Sequence, residues 1–364
     1  MDLPLPFPLK PMLAKPNDGI PTGDWRFEPK WDGFRCIVFR DGDEIELGSR
    51  NQKPLTRYFP EMLGPLRDAL PDRCIVDGEI VVAIDDRLDF DALGQRIHPA
   101  ESRVNMLADT TPATFVAFDL VALGDRSLLD ASFDERRALL EDAVTPGPRV
   151  HVTPITSDHD VAAEWFRSVE GAGLDGLIAK DPAGTYEPDK RVLKKVKHKR
   201  TADCVAAGFR WHKDGNGVGS IILGINTDDP DEGGELRHVG VAASFKTTFR
   251  TELAEELAPL VEDDFSRHPW SHWFDAEAHA AAADGPGSAM PGAPNRWNSQ
   301  RDQSWVPLRI ERVVEVGYTI MTSGRFRGTT RFVRWRPDKS PDECTYDQLD
   351  VVPPMGFDDL VRGV

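Results

Sequence analysis

Apolar runs separated by turn residues and amphipathic segments predict alternating strands and helices over the first two hundred positions. A Ser-x-x-Glu capping box at Ser132 to Glu135 marks the start of a helix that ends near Ala143. Strands are predicted over residues 34–40, 44–48, 75–84, 114–123 and 176–180, and a second helix over residues 158–169. This alternation indicates an α+β domain that ends near Arg200.

From Cys204 onward the pattern changes to short strands with little helix between them. Five strands are predicted, over residues 205–211, 219–226, 236–245, 312–321 and 330–336, with one helix over residues 248–261. Five short strands with a helix are typical of a small barrel of the oligonucleotide-binding type. We therefore predict two domains, residues 1–200 and 201–364. Residues 275–298 are rich in Ala, Gly and Pro, and we predict a mobile insertion there.

The composition narrows the class of protein. Hydrophobic residues make up 40% of the 364 positions, which is ordinary for a globular chain. No apolar run is long enough to span a bilayer, and the first sixteen residues lack a signal-peptide core. The four cysteines are scattered singly, which argues against a zinc finger or a disulfide framework. We expect a cytoplasmic protein with reduced thiols and no membrane partner.

The net charge of −17 at first argues against a nucleic-acid partner, because phosphates repel carboxylates. Two local clusters answer that objection. Between Lys190 and Lys213 nine Lys or Arg residues are opposed by Asp203 alone, and between Arg325 and Lys339 six are opposed by Asp338 alone. Such clusters in an acidic chain indicate a local nucleic-acid footprint, the alternative being solvated strand faces.

One octet, Glu28 to Arg35, carries the clearest chemistry. Lys30 is flanked by bulky apolar residues at positions 27, 31 and 34, and such surroundings favour the neutral, nucleophilic amine. Asp32-Gly33 is expected to turn the backbone sharply, and Arg35 offers a planar fork to an oxygen-rich ligand. Taken alone, the octet could equally be a Lys-Asp pair at a strand end.

The octet has the Lys-x-Asp-Gly-x-Arg form of nucleotidyltransferases that attach a nucleotide to their own lysine. Further segments resemble the other motifs of these enzymes in the same order: Ser49-Arg50, Asp77-Gly78-Glu79, residues 115–120, 175–180 and 193–197, and Arg336-Pro337-Asp338-Lys339. Together they make the chain resemble ATP-dependent DNA ligases of the covalent nucleotidyltransferase superfamily, especially the compact actinobacterial ligase C group. The resemblance implies an adenylation domain of antiparallel sheets and helices, followed by an oligonucleotide-binding barrel.

The resemblance also implies a role for each matching cation. Lys30 would be the covalent nucleophile that attacks ATP. Lys195 and Lys197 would lower the pKa of that amine and neutralise the α-phosphate. Arg336 and Lys339 would assist the departure of pyrophosphate.

Other roles implied by the resemblance concern the nucleoside. Glu28 would hold the purine edge, and Arg35 and Glu79 would lie near the ribose. Phe118 would stack on adenine, whereas Phe115 is less suited because a period-two strand turns it to the opposite face.

Three further roles concern metal and DNA. Glu79 and Asp175 would hold Mg²⁺ or Mn²⁺, and the short carboxylate of Asp175 favours binding through water. Arg50 would grip the phosphate of a nick.

The expected function is sealing of nicked or broken duplex DNA through a lysyl-AMP intermediate and a DNA-adenylate, in bacterial DNA repair. A monomer is expected, associated with the nucleoid, and a primase-polymerase is a candidate partner. Two alternatives stay open at this stage. One is an RNA ligase or an mRNA-capping guanylyltransferase, and the other is a non-catalytic nucleic-acid clamp.

Overall fold

The computed structural model describes residues 1–227, 234–271, 304–319, 321–322, 324–349 and 355–362. The predicted insertion at residues 275–298 lies outside these ranges. The chain forms two compact units. The first unit comprises residues 1–198 together with the C-terminal residues 352–364, and the second comprises residues 199–351.

The first unit contains twelve strands among its described residues. In chain order they are β1 (Leu13–Pro16), β2 (Arg26–Pro29), β3 (Phe34–Asp41), β4 (Glu44–Ser49), β5 (Arg73–Val81), β6 (Ala83–Ile84), β7 (Arg87–Leu88), β8 (Thr114–Leu123), β9 (Arg126–Ser127), β10 (Val150–Val152), β11 (Gly176–Lys180) and β12 (Arg191–Lys197). Its first five helices are α1 (Leu63–Ala69), α2 (Phe90–Gln95), α3 (Glu101–Thr110), α4 (Phe133–Ala143) and α5 (His159–Ser168).

Two sheets organise this unit. The larger has the order β10-β8-β5-β3-β4, with β9 paired to β8, and only the β10–β8 pair in it is parallel. The smaller has the order β1-β12-β11-β2, in which β1 runs parallel to β12. Leu66 of α1, Leu93 of α2 and Leu140 of α4 are fully buried in one core cluster with Val38 and Val76 of the larger sheet.

The sequence pattern predicted five of these strands and two of these helices. The strands over 114–123 and 176–180 have the predicted bounds, and Ser132 accepts a hydrogen bond from the amide of Glu135 at the start of α4. The strand predicted over 75–84 is instead divided, because β5 ends at Val81 and a short β6–β7 hairpin follows.

The second unit is built on one antiparallel sheet. Its elements are β13 (Arg200–Trp211), β14 (Val218–Asn226), β15 (Leu236–Ala243), α6 (Thr247–Leu257), β16 (Val306–Pro307), β17 (Val313–Tyr318), β18 (Met321–Thr322), β19 (Arg325–Phe326) and β20 (Arg331–Trp335). The sheet order is β15-β14-β13-β17-β20, with β16 paired to β13. One isolated bridge, between Ala242 of the edge strand β15 and Thr330 just before the other edge strand β20, links the two edges of the sheet. The described strands form no closed barrel.

A last helix, α7 (Phe357–Arg362), belongs to the first unit. Phe357 and Leu360 are buried in a core cluster with Trp31 and Phe118. The amide of Phe357 donates to the carbonyl of Asp86 at 2.7 Å, in the turn between β6 and β7. No helix in the described ranges is both long and apolar enough to cross a bilayer.

Candidate active site

One pocket of the first unit is lined by residues from both sheets. It brings together seven of the residues predicted from the sequence: Glu28, Lys30, Arg35, Arg50, Glu79, Phe118 and Lys195. Glu28 lines the pocket from β2, and Lys30 lines it from the position directly after that strand. Ile178 lies opposite Glu28 on one side and opposite Lys195 on the other, so the smaller sheet presents one continuous face to the pocket.

Lys30 is held by a carboxylate. Its Nζ lies 2.8 Å from Oδ1 of Asp175, and the two side chains are 20% and 6% exposed. Burial alone would lower the pKa of Lys30, but the Asp175 carboxylate raises the pKa above its usual value. The expectation that the surroundings favour a neutral amine is therefore wrong for this structure. The reason is the Asp175 carboxylate, which lies outside the octet. Of the three aromatic neighbours, Trp31 lines the pocket, whereas Phe27 and Phe34 pack in other clusters.

Asp175 joins Lys30 to the two lysines of β12. Its other oxygen, Oδ2, accepts a hydrogen bond from Nζ of Lys197. Burial alone would raise the pKa of Asp175, but the charges of Lys30 and Lys197 hold the pKa below its usual value. Lys195 lines the pocket, and its pKa is lowered by burial and by repulsion from Lys197 and Lys30.

Arg35 and Phe118 form the wall contributed by the larger sheet. Arg35 makes two hydrogen bonds to Asp77, of 2.6 and 2.5 Å, and its Cζ lies 4.3 Å from the centre of the Phe118 ring. Burial alone would lower the pKa of Arg35, but the Asp77 carboxylate raises it. Phe118 and Phe115 belong to different core clusters, as the strand period predicted. The β5–β8 register skips Phe118, and such a bulge re-aims a side chain.

Glu79 faces Arg35 directly across the β3–β5 pair. Its Oε1 accepts a hydrogen bond from the amide of Gly33 at 3.2 Å. Burial raises the pKa of Glu79 from 4.5 to about 7, against the opposing charges of Arg35 and Lys30. The predicted ribose contact of this carboxylate stays a prediction.

The lack of a side chain at Gly33 matters for the packing of the site. Its φ is not in the left-handed region, so the sharp turn expected at Asp32-Gly33 is not why glycine is needed. A Cβ at Gly33 would lie 2.2 Å from the carbonyl oxygen of Ile80 and 3.0 Å from Cγ of Glu79. Glycine therefore lets the segment after Lys30 approach the end of β5.

Sequence reasoning missed Lys180. This side chain is 3% exposed, lines the pocket, and places its Nζ 2.9 Å from Oε2 of Glu28. It also donates to the carbonyl of Phe118 at 2.8 Å. The signal was available, because Lys180 follows Ile178 by two positions on a strand whose neighbours are apolar.

Arg336 and Lys339 lie in the second unit, where both bind Asp203. Arg336 Nη1 lies 2.8 Å, and Lys339 Nζ 3.1 Å, from Oδ2 of that carboxylate. Arg334 of the same cluster is paired with Glu315 at 2.7 Å. Part of the basic footprint is thus neutralised by acids from other strands.

The residues predicted to bind metal offer suitable donors. Carboxylate oxygens suit Mg²⁺, which commonly takes one or two carboxylates together with water and substrate phosphates. Glu79 and Asp175 supply such oxygens, although Asp175 is engaged by Lys30 and Lys197. Within the described ranges, no three His, Cys, Asp or Glu side chains cluster as a complete metal cage.

Comparison with known proteins identifies relatives that match the whole chain. Residues 11–199 match the family described as ATP dependent DNA ligase domain. DNA ligase C of Mycobacterium tuberculosis is 53% identical over 370 residues, covering 100% of both chains. DNA ligase C2 of Mycolicibacterium smegmatis is 54% identical over 355 residues, covering 97% of each. A solved structure from a study of Lig E DNA ligases shares the fold, with a TM-score of 0.52 and 17% identity over 90% of this chain and 99% of that one. The chain belongs to the family of ATP-dependent DNA ligases.

Proposed function

We propose that this protein seals nicks or breaks in duplex DNA with ATP, through a lysyl-AMP intermediate on Lys30 and then a DNA-adenylate. The observation that carries the proposal is the placement of the Lys30 amine in a pocket with a buried acceptor, an aromatic ring and cations. Glu28, Phe118 and Lys195 supply these three features. An ion-paired surface lysine would need none of them.

The chemistry consists of three transfers at phosphorus. The Lys30 nitrogen forms a bond to the α-phosphorus of ATP as the bond to pyrophosphate breaks, and the amine loses its proton. The adenylate then passes from Lys30 to the 5′-phosphate of the nick. Finally the 3′-hydroxyl attacks that phosphate and expels AMP. Charge accumulates on phosphate oxygens in every step, so positioned cations should supply much of the catalysis.

The pairing of Lys30 with Asp175 sets a requirement on the first step. The amine is held as an ammonium, so the attack requires loss of a proton. Asp175 Oδ1 lies 2.8 Å from Nζ, within reach of that proton. Lys195 repels a protonated Lys30 and would neutralise the α-phosphate.

The nucleoside would occupy the wall formed by Phe118 and Glu28. Phe118 would stack on adenine, and Glu28 Oε1 is a buried acceptor without a hydrogen-bond partner, as the amino group of adenine requires. Arg35 and Glu79 would lie near the ribose, and Arg50 would contact a phosphate. Bound Mg²⁺ or Mn²⁺, held by Glu79 and Asp175, would neutralise phosphate charge.

We assign the second unit to DNA binding. Its sheet order and the bridge between Ala242 and Thr330 support a barrel of the oligonucleotide-binding type, with α6 against it. Arg336 and Lys339 would assist pyrophosphate departure after exchanging Asp203 for phosphate oxygens. The proposal also includes that the protein is a cytoplasmic, nucleoid-associated monomer that acts in DNA repair. A primase-polymerase is its candidate partner.

The test is capture of labelled nucleotide followed by sealing of a 5′-phosphorylated nick. Lys30→Ala should abolish the adenylate adduct, detected by intact mass, while binding of nicked DNA persists. The matched control Lys53→Ala removes an exposed lysine outside the pocket and should leave capture unchanged. Labelling by GTP instead of ATP would favour a capping enzyme, and sealing only of RNA-containing nicks would favour an RNA ligase. An adduct on another residue would refute the role of Lys30.

A further inference from the structure

The two oxygens of Glu28 have different surroundings. The side chain is 3% exposed and lines the nucleotide pocket. Its Oε2 lies 2.9 Å from Nζ of Lys180. Its Oε1 accepts no hydrogen bond from any described residue, and Nη1 of Arg137, also without a hydrogen-bond partner, lies 3.7 Å away. Glu28 thus carries one anchored oxygen and one available acceptor.

Both cations are held in place by contacts of their own. Lys180 donates to the carbonyl of Phe118 and lies 3.9 Å from Asp119. Arg137, on α4, donates to the carbonyl of Thr153 at 2.7 Å and to Glu141 at 2.7 Å. The positions of the two charges therefore do not depend on a bound ligand.

The charge on Glu28 decides which base it can accept. An ionised carboxylate only accepts hydrogen bonds, whereas a protonated one can also donate. Adenine presents an amino group at position 6, which donates, and guanine presents a carbonyl oxygen there, which accepts. Ionised Glu28 would bind the first and repel the second, while neutral Glu28 could donate to guanine.

We propose that Lys180 and Arg137 set the base selectivity of nucleotide capture by keeping the buried Glu28 ionised and oriented. Lys180 anchors one oxygen, which leaves the other for the adenine amino group. Neither cation needs to touch the nucleotide base for this effect, so both are positioning residues. The inference rests on the proposed function, because it assumes that Glu28 meets the purine edge.

The direction of the pH effect follows from the surroundings. The pKa of Glu28 lies above its usual value, because burial raises it by more than Lys180 and Arg137 lower it, and Asp119 raises it further. Without either cation, Glu28 would take up its proton at a higher pH. Selectivity for ATP over GTP should therefore fall as the pH falls, and this fall should begin at a higher pH in a variant that lacks Lys180.

The experiment uses the full chain and measures kcat/KM for formation of the covalent nucleotide adduct, once with ATP and once with GTP. The quantity compared among variants is the ratio of the ATP value to the GTP value. Groups such as Glu79 cancel in this ratio, because both nucleotides share ribose and phosphates. Glu28→Gln, which mimics the neutral acid, should lower the ratio about ten- to hundredfold, the range for loss of a hydrogen bond to a charged group. Lys180→Met should lower it in the same direction, and Lys180→Arg, which retains the charge, should restore most of it.

The double variant Glu28→Gln/Lys180→Met isolates the mechanism. If Lys180 acts through Glu28, its loss should cause no further fall in the ratio once Glu28 is Gln. A further fall in the double variant, or an unchanged ratio in Glu28→Gln, would overturn the inference.

Loss of folding in a variant must be distinguished from loss of base selectivity. Removing one partner of a buried ion pair is strongly destabilising, so thermal unfolding is measured for each variant. If Lys180→Met does not fold, the pH series on the unmodified protein and on Glu28→Gln decides instead. A ratio that falls at low pH only when Glu28 is present supports the inference, and equal pH profiles refute it. Failure of the unmodified protein to capture any nucleotide would refute the proposed function itself.

Discussion

Gly33→Ala tests whether the nucleophile is positioned by close backbone approach. The added Cβ would lie 2.2 Å from the Ile80 carbonyl oxygen and 2.9 Å from Cγ1 of Val81, whereas ordinary contacts begin near 3.4 Å. Relief therefore requires the segment to move by about 1 Å, and overpacking of this kind costs about 1–3 kcal/mol. For a unit of about 200 residues, this loss corresponds to a Tm lower by about 2–12 °C.

The functional effect of Gly33→Ala should exceed the loss of stability. Lys30 lies three residues before Gly33, and a misplacement of about 1 Å can cost about a hundredfold in rate. Thermal unfolding and the rate of lysyl-AMP formation, measured well below the Tm, separate the two effects.

Gly64→Ala is the matched control. Gly64 lies in α1, and a Cβ there would meet no atom within 4 Å. Replacement should leave capture unchanged and add up to about 1 kcal/mol, because Ala is the better helix former. A Gly33→Ala protein with an unchanged Tm and an unchanged capture rate would refute the packing argument.

Three further predictions follow from the site. Asp175→Asn removes the charge that raises the pKa of Lys30, so trace acetylation of Lys30, followed by peptide mass spectrometry, should accelerate near pH 8; an unchanged pH dependence would contradict the pairing. Glu79 ionises at about pH 7 in the folded protein, against 4.5 as its usual value, so its contribution to stability is fully present below pH 4.5 and is lost as the pH rises to about 7. Glu79→Gln should abolish that loss, and urea unfolding at pH 5 and pH 8 would show no difference from the unmodified protein if the argument is wrong. Phe357→Ala should release α7, seen as faster hydrogen exchange over residues 355–362, and should weaken ATP capture because Phe357 packs against Trp31; retained protection would show that the contact is dispensable.

The sequence predicted the elements that carry strong periodicity. The strand over 114–123 is buried at nearly every position, and its apolar run identified both its bounds and the different faces of Phe115 and Phe118. The order of the motifs likewise predicted that Glu28, Lys30 and Glu79 share one site, and all three line the same pocket.

Pairwise electrostatics could not be predicted in the same way. The apolar neighbours of Lys30 predicted a neutral amine, but its charge partner Asp175 lies far away in the sequence, and no local pattern links the two residues. The spacing of Lys180 from Ile178 indicated its face of the strand, but only the folded structure shows that its Nζ lies 2.9 Å from Glu28. The charges of these side chains depend on ion pairs between residues that are distant in the sequence, and local spacing does not predict such pairs.

The return of α7 makes the first unit discontinuous in sequence. A fragment that stops at residue 198 would lack Phe357 and Leu360, which would leave their partners Trp31 and Leu174 exposed to solvent. Anyone isolating this unit should therefore splice residues 355–362 back through a short flexible linker. The second unit is consequently an insertion within the sequence of the first, and the chain joins the two units at two places.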